Sequence, residues 1–168
     1  MRYTPFALAA ALALASASVA IHAQRPDVQI DPKSMTLLST GKAQVAAGQL
    51  EAATDTLETA LAVDPRNRAA YVVLGDVARA RGLNGLAYRH YRDALELDPN
   101  DLGALKGQGE ALVAKGALVK ARDNLARIRK ICRNTACPDA VQLAAVIAKG
   151  APRAAIATTT PTPADTKE

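Results

Sequence analysis

One sequence carries itself forward in steps of 34 residues. Stepping from Gly41 reaches Gly75 and Gly109, from Gly48 reaches Gly82 and Gly116, and from Ala53 reaches Ala87 and Ala121. Other columns keep character rather than identity: Leu37, Tyr71 and Leu105 align as large apolar residues, and so do Leu57, Tyr91 and Leu125. The phrase ALAVDPRN, from Ala60, returns as ALELDPND from Ala94, and its third copy reads IRKICRNT from Ile128. A unit this short cannot bury its apolar side alone. A chain built from it must stack its copies and close the last with a lid whose outer side is polar.

The content of each unit points to helices. Apolar residues make up 49% of the chain, but aromatics only 3%, with no Trp. The remainder is largely Ala, Leu and Val, a composition that favours an all-α chain. Each copy reads as two helical stretches parted by a Gly: 34–47 with 50–63, 69–81 with 84–97, and 103–115 with 118–131. Gly48, Gly82 and Gly116 stand where the first helix of each pair must end, and a left-handed closing residue is least costly as Gly. Gly41, Gly75 and Gly109 lie inside helices, where each costs about 1 kcal/mol relative to Ala. The expected offset is close packing against Ala53, Ala87 and Ala121. Asp64-Pro65 and Asp98-Pro99 end the second helices, because proline turns the residue before it out of helical geometry.

These columns resemble the tetratricopeptide repeat family: a large apolar residue, Leu-Gly, an Ala, an aromatic or large residue, and a closing Pro. The second copy carries the pattern in Tyr71, Leu74-Gly75, Ala78, Ala87, Tyr91 and Pro99. The first departs at Thr40 and Gln44, the third at Gln108 and Arg133. The resemblance covers about 34–135, in repeats 34–67, 68–101 and 102–135. It implies an α-solenoid of three antiparallel helix pairs.

The flanks are read separately. Residues 1–23 hold Arg2, an apolar run from Phe6 to Ala20 and small residues, the order of parts of a secretory signal. Cleavage is expected after Ala20 or Ala23; an uncleaved anchor is disfavoured because the run is short and Ala-rich. Residues 24–33 read as an extended leader. Cys132 and Cys137 are the only cysteines and stand at the end of the third copy. In an exported protein that pair reads as a disulfide. A catalytic dithiol is disfavoured because the spacing is not Cys-x-x-Cys, and a zinc site because no His is near. Residues 138–149 read as a capping helix, with Val141, Ala144, Ala145 and Ala148 on one stripe, Leu143 and Ile147 widening it, and Gly150 stopping it. Residues 150–168 read as a disordered tail.

Catalytic chemistry finds no purchase. His90 is the one His after Ala23, and Ser34 and Ser39 sit on another helix. No metal, cofactor or catalytic site is expected. Removing residues 1–23 takes away one basic residue of 21 and no acid, leaving 20 against 16, net +4. Without aromatics among the basic residues, nucleic acid is not an expected partner. Lys120, Arg122, Arg127, Arg129, Lys130 and Arg133 are read as a solvated helix face, with an anion-binding patch as the alternative.

Function then rests on a surface. The resemblance implies a groove lined by the first helix of each pair: Met35, Leu38, Lys42 and Val45, then Ala69, Val72, Asp76 and Arg79, then Gly103, Lys106, Glu110 and Val113. Some relatives hold a partner's terminal carboxylate there. The matching residues here are Leu38, Lys42, Val73, Gly103 and Gly107, which do not support such a clamp, although Gly103 and Gly107 would admit a ligand backbone. The expectation is a periplasmic, non-enzymatic adaptor or scaffold that binds a peptide or helix of an envelope protein, in complex assembly or secretion, with no membrane span after signal cleavage. The rival expectations are a self-associating structural protein, forming homo-oligomers, and an exported thiol-redox enzyme.

Overall fold

The computed structural model describes residues 29–133 and 136–158, the last eight through their backbone alone. The expected signal at 1–23, residues 24–28 of the expected leader and residues 159–168 of the expected tail lie outside these residues. The described residues form seven helices: α1 Pro32–Ala46, α2 Leu50–Val63, α3 Arg68–Ala80, α4 Asn84–Leu97, α5 Leu102–Ala114, α6 Leu118–Cys132 and α7 Pro138–Thr158. The architecture is an all-α solenoid of three hairpins closed by α7. Helix α1 begins at Pro32, two residues inside the leader expected to be extended, because Asp31 caps it and Pro32 suits a first helical position.

Two kinds of punctuation set the repeat. Within each pair, Gly48, Gly82 and Gly116 adopt φ of 73°, 75° and 76°. Each donates its N–H back three residues, and the next residue donates back five, as in Gly48 to Val45 and Gln49 to Gln44. Between pairs, the recurring Asp-Pro-x-Asn/Asp phrase works from both ends. Asp64 and Asp98 accept the backbone N–H two residues on, at 3.0 and 2.9 Å. Asn67 and Asp101, closing the phrase, cap α3 and α5 by accepting from Ala70 and Ala104. The second helices, capped by Gln49, Leu83 and Ala117, have no side-chain cap.

Asp64 is the more heavily used of the two aspartates. It is buried and takes the Arg66 side chain on both oxygens, plus the N–H of Asp31 at 2.9 Å. The Arg66 hydrogen bond, then the backbone N–H groups of Asp31 and Arg66, hold its carboxyl at about 2, below the usual 3.8. A carboxyl lowered by folding stabilises the fold fully above its unfolded pKa of 3.8 and loses that contribution as pH falls through about 2. Acid unfolding followed by circular dichroism should therefore steepen between about pH 4 and 2. Asp64→Asn should flatten that limb; an unchanged limb would exclude Asp64 as its source.

Helix α7 corrects three expectations. It presents Ala140, Leu143 and Ile147 to the core, while Val141 is 70% exposed and Ala145 and Ala148 also face out. The apolar stripe is therefore turned from the one expected. Gly150 does not stop the helix: α7 continues to Thr158, into the segment expected to be disordered. Gly150 instead lets α7 lie close to α5, where a Cβ would stand 2.5 Å from Val113 Cγ1. The interior glycines also meet partners other than the expected alanines. A Cβ on Gly41 would stand 2.7 Å from Leu57, one on Gly75 2.6 Å from Tyr91, and one on Gly109 2.7 Å from Leu143 of α7. The alanines are buried, but the large residue one turn further on, or the lid, fills the notch.

Cys132 and Cys137 form a disulfide, with Cα atoms 6.0 Å apart, between the end of α6 and the start of α7. Closing so short a loop contributes about 2 kcal/mol on the chain-entropy estimate. The double variant Cys132→Ser/Cys137→Ser should lose that amount and melt several degrees lower, and dithiothreitol should do the same to the parent chain. Unchanged melting, or two free thiols titrated in the oxidised protein, would show that the bridge does not hold the lid.

Candidate functional site

The first helices of the pairs touch one another along the stack, α1 with α3, α3 with α5 and α5 with α7. The second helices α2, α4 and α6 do not touch each other; each packs only on first helices or the lid. The stack is therefore tighter on the first-helix side, and that side is the inner, concave one.

The twelve residues expected on this face fall into distinct environments. Met35 is 47% exposed, Lys42 is exposed, and Val45, Ala69 and Val72 are half-buried, giving an apolar strip beside one cation. Leu38 is not available. It is 3% exposed and belongs to the core cluster that includes Leu57, Ala60, Ala70 and Leu74, because the second pair covers it. Val113 is half-buried and packs on the last core cluster. Gly103 is half-buried, and a Cβ there would meet Asp101 Oδ1 at 3.3 Å and Val72 Cγ1 at 3.9 Å.

The charged members are already tied to one another. Arg79 on α3 reaches Glu110 on α5 at 3.2 Å and Asp76 at 3.7 Å. Lys106 on α5 reaches Asp139 of the lid at 2.9 Å and donates to Gln142 at 3.0 Å. A ladder of alternating charge thus runs from α3 across α5 to α7. Burial works to lower the Arg79 pKa, but the Tyr91 hydroxyl and then Glu110 and Asp76 outweigh it, so the net shift is upward.

Tyr91 is the residue that motif reading left out of the site. It rises from α4 with 0% exposure, passes between Gly75 of α3 and Gly107 of α5, and donates its hydroxyl to Asp76 Oδ1 at 2.7 Å on the inner face. Burial foremost, with the Asp76 charge behind it, pushes the phenol pKa up, so it stays protonated and donates. Gly107 is therefore no opening for a ligand backbone: a Cβ there would collide with the Tyr91 ring. The signal was present as two glycines flanking a Tyr column, but it needed the neighbouring helix to be legible.

Of the two candidate serines, Ser39 is exposed and Ser34 is engaged in the core. Ser34 is buried and donates to the Ala60 carbonyl at 2.8 Å, while also accepting from Asn67 at 2.8 Å. His90 is half-buried on α4, beside Leu74, Val77 and Glu58, and burial lowers its pKa. Among the described residues no group of three or more His, Cys, Asp or Glu side chains stands at metal-holding distance, and no helix is long and apolar enough to cross a membrane.

No protein-family model matches the sequence, and no curated protein matches it. Solved structures do. The first tetratricopeptide repeat of Spaghetti (RPAP3), bound to the HSP90 peptide SRMEEVD, superposes with a TM-score of 0.66 at 18% identity, covering 74% of this chain and 98% of that one. The Sgt2 tetratricopeptide domain of Aspergillus fumigatus gives 0.66 at 20% identity, over 82% and 90%. The Yersinia enterocolitica type III secretion chaperone SycD, in complex with a peptide of the translocator YopD, gives 0.62 at 19%, over 79% and 99%.

Proposed function

We propose, taking the tetratricopeptide-repeat fold as premise, that this chain is a non-enzymatic adaptor that holds a segment of another protein in the groove of α1, α3 and α5. The observation that carries the reading is the inner face itself: an apolar strip of Met35, Val45, Ala69 and Val72 beside a charge ladder that is satisfied internally. Such a surface suits an amphipathic segment, whose apolar side covers the strip while its polar side stays hydrated. An acidic tail is a poorer guest, because Arg79 and Lys106 already have carboxylates. Two solved structures of the same fold, those of RPAP3 and SycD, hold peptides.

The compartment is proposed on two supports. The N-terminal 23 residues have the composition of an export signal, and the disulfide at the lid belongs to an oxidising environment. The guest is then a protein of the cell envelope, met during assembly or secretion.

The test is selection of binding peptides from a helical display library, followed by anisotropy on the best binders. Met35→Glu with Val72→Glu places two charges on the apolar strip. Affinity should fall about 30-fold or more, the scale of losing two contacts of about 1 kcal/mol each, while circular dichroism stays unchanged. Equal binding by parent and double variant would remove the groove as the site. A concentration-dependent mass in light scattering, unaffected by the double variant, would favour self-association instead.

A further inference from the structure

Helix α6 carries charge differently from the other outward-facing helices. Helix α2 exposes Glu51, Asp55 and Glu58 and has no basic residue. Helix α4 balances Arg89 and Arg92 against Asp93 and Glu96, with Arg92 bonded to both acids. Helix α6 has Lys120, Arg122, Arg127, Arg129 and Lys130, all exposed, against the single acid Asp123. Elsewhere most of the described arginines are paired: Arg66 with Asp64, Arg68 with Asp98 and Asp101, Arg79 with Glu110, Arg81 with Glu51; Arg89 on α4 is the exception. On α6 none of the five cations has a carboxylate within ion-pair distance among the described residues; Arg127 donates to the Pro99 carbonyl at 2.8 Å.

Helix stability does not account for this face. Arg129 and Lys130 lie in the last turn, where cations suit the helix dipole. Lys120 lies in the first turn and Arg122 just beyond it, where cations oppose the dipole, and no acid occupies that turn. Arg127 and Lys130 are like charges one turn apart, which also weakens a helix. At Lys120 and Arg122 the sequence therefore keeps cations that the helix dipole disfavours.

Two further features bear on what the face meets. Near its end, Arg127, Lys130, Ile131 and Arg133 join Asn100 in lining a cleft of about 470 Å³. Near its start, Val119 is 69% exposed on the same side as Arg122. The face is on the outside of the solenoid, so its cations reach outward from a helix about 22 Å long. We propose that this face docks the protein on an anionic lipid bilayer, with the Arg127–Lys130–Arg133 cleft taking a phosphate headgroup.

A bilayer surface suits these residues better than the other anion in view, the α2 face of a second copy. That face offers only three carboxylates, and Glu51 already has Arg81 at 3.9 Å. An exposed protein–protein ion pair strengthens an interaction by a factor of about five at most, and three such pairs do not meet the entropic cost of holding two proteins together. An anionic leaflet gives about fivefold per basic residue near it and asks for no fixed partner geometry. Docking on the outer side also leaves the inner groove open, so the two surfaces work independently.

The experiment uses residues 24–168, which contain every helix of the stack and omit the apolar N-terminal run that would itself enter a bilayer. Sedimentation with phosphatidylglycerol/phosphatidylcholine vesicles should carry the protein down, and pure phosphatidylcholine vesicles should not. Added salt should release it. Arg122→Gln/Arg127→Gln/Lys130→Gln should weaken partitioning about 100-fold, the loss of three residues at about fivefold each. Lys33→Gln/Arg89→Gln/Lys149→Gln, the same change in net charge on other elements, should stay within a few-fold of the parent. All six positions are exposed, and unchanged melting of both variants keeps the comparison fair. Equal loss in the two variants, equal binding to neutral vesicles, or tighter binding of an oligonucleotide or of polyglutamate than of the anionic vesicles would overturn the proposal.

Discussion

Tyr91→Ala is expected to cost about 3–5 kcal/mol of folding stability, the range for emptying a fully buried aromatic site. Tyr91 is the largest of the fully buried side chains, and its ring is the point at which three helices meet. It leaves α4, crosses the notch at Gly75 on α3 and ends against Gly107 on α5. Neither glycine has a side chain to collapse into the space, so the cavity would stay open and the cost should sit near the top of the range. A stack of this size holds roughly 5–15 kcal/mol in all, so the variant would lose a large share of its stability. Tyr91→Phe separates the ring from its hydroxyl. It forfeits the bond to Asp76, which keeps Arg79 and solvent, and the hydroxyl's interaction with Arg79, and should cost about 1 kcal/mol. Urea titrations of the three proteins measure both steps. A loss below about 1.5 kcal/mol for Tyr91→Ala would mean that the second and third pairs are not locked through this ring.

The same residue shows how far the fold was legible in the sequence. Helix boundaries were readable because their causes are local. A left-handed Gly, an Asp before Pro and a capping Asn or Asp act within a few residues, so a 34-residue period placed α2 and α4 at 50–63 and 84–97. What the notch glycines meet was not local. Spacing alone could put Gly75 opposite Ala87, but the gap is filled by Tyr91 one turn later, and the third notch by Leu143 from beyond the repeats. Leu38 shows the same limit within the candidate site. Its register assigns it to the inner face, yet the first pair tucks it under the second, where exposure depends on how closely neighbouring helices approach. The lid was misjudged by its face and its end: Ala140, Leu143 and Ile147 are apolar, but so are Val141, Ala144 and Ala145, and a helix with apolar residues on most sides does not announce which side is inward. The charged half of the groove was named residue by residue, but its internal pairing, which decides what guest it suits, required distances.

Glycines of one chain should respond to the same substitution with opposite signs. Gly→Ala inside a helix gains up to about 1 kcal/mol of intrinsic propensity wherever the methyl has room. At Gly85, near the start of α4, nothing lies within 4 Å of the added carbon, so Gly85→Ala should stabilise by about 0.5–1 kcal/mol. At Gly107 the same carbon would run into the ring of Tyr91, which is buried and cannot swing aside as a chain end would. Overpacking there should exceed the propensity gain and leave a net loss of about 1–3 kcal/mol. The two effects become interdependent when combined. In a Tyr91→Ala background the obstruction is gone, so Gly107→Ala should turn from destabilising to neutral or favourable, whereas Gly85→Ala should add unchanged. A double-mutant cycle in urea reads this directly. If Gly107→Ala costs the same with and without the Tyr91 ring, then close approach to that ring is not the reason a glycine stands in the middle of α5, and the third pair is held to the second by something other than the notch.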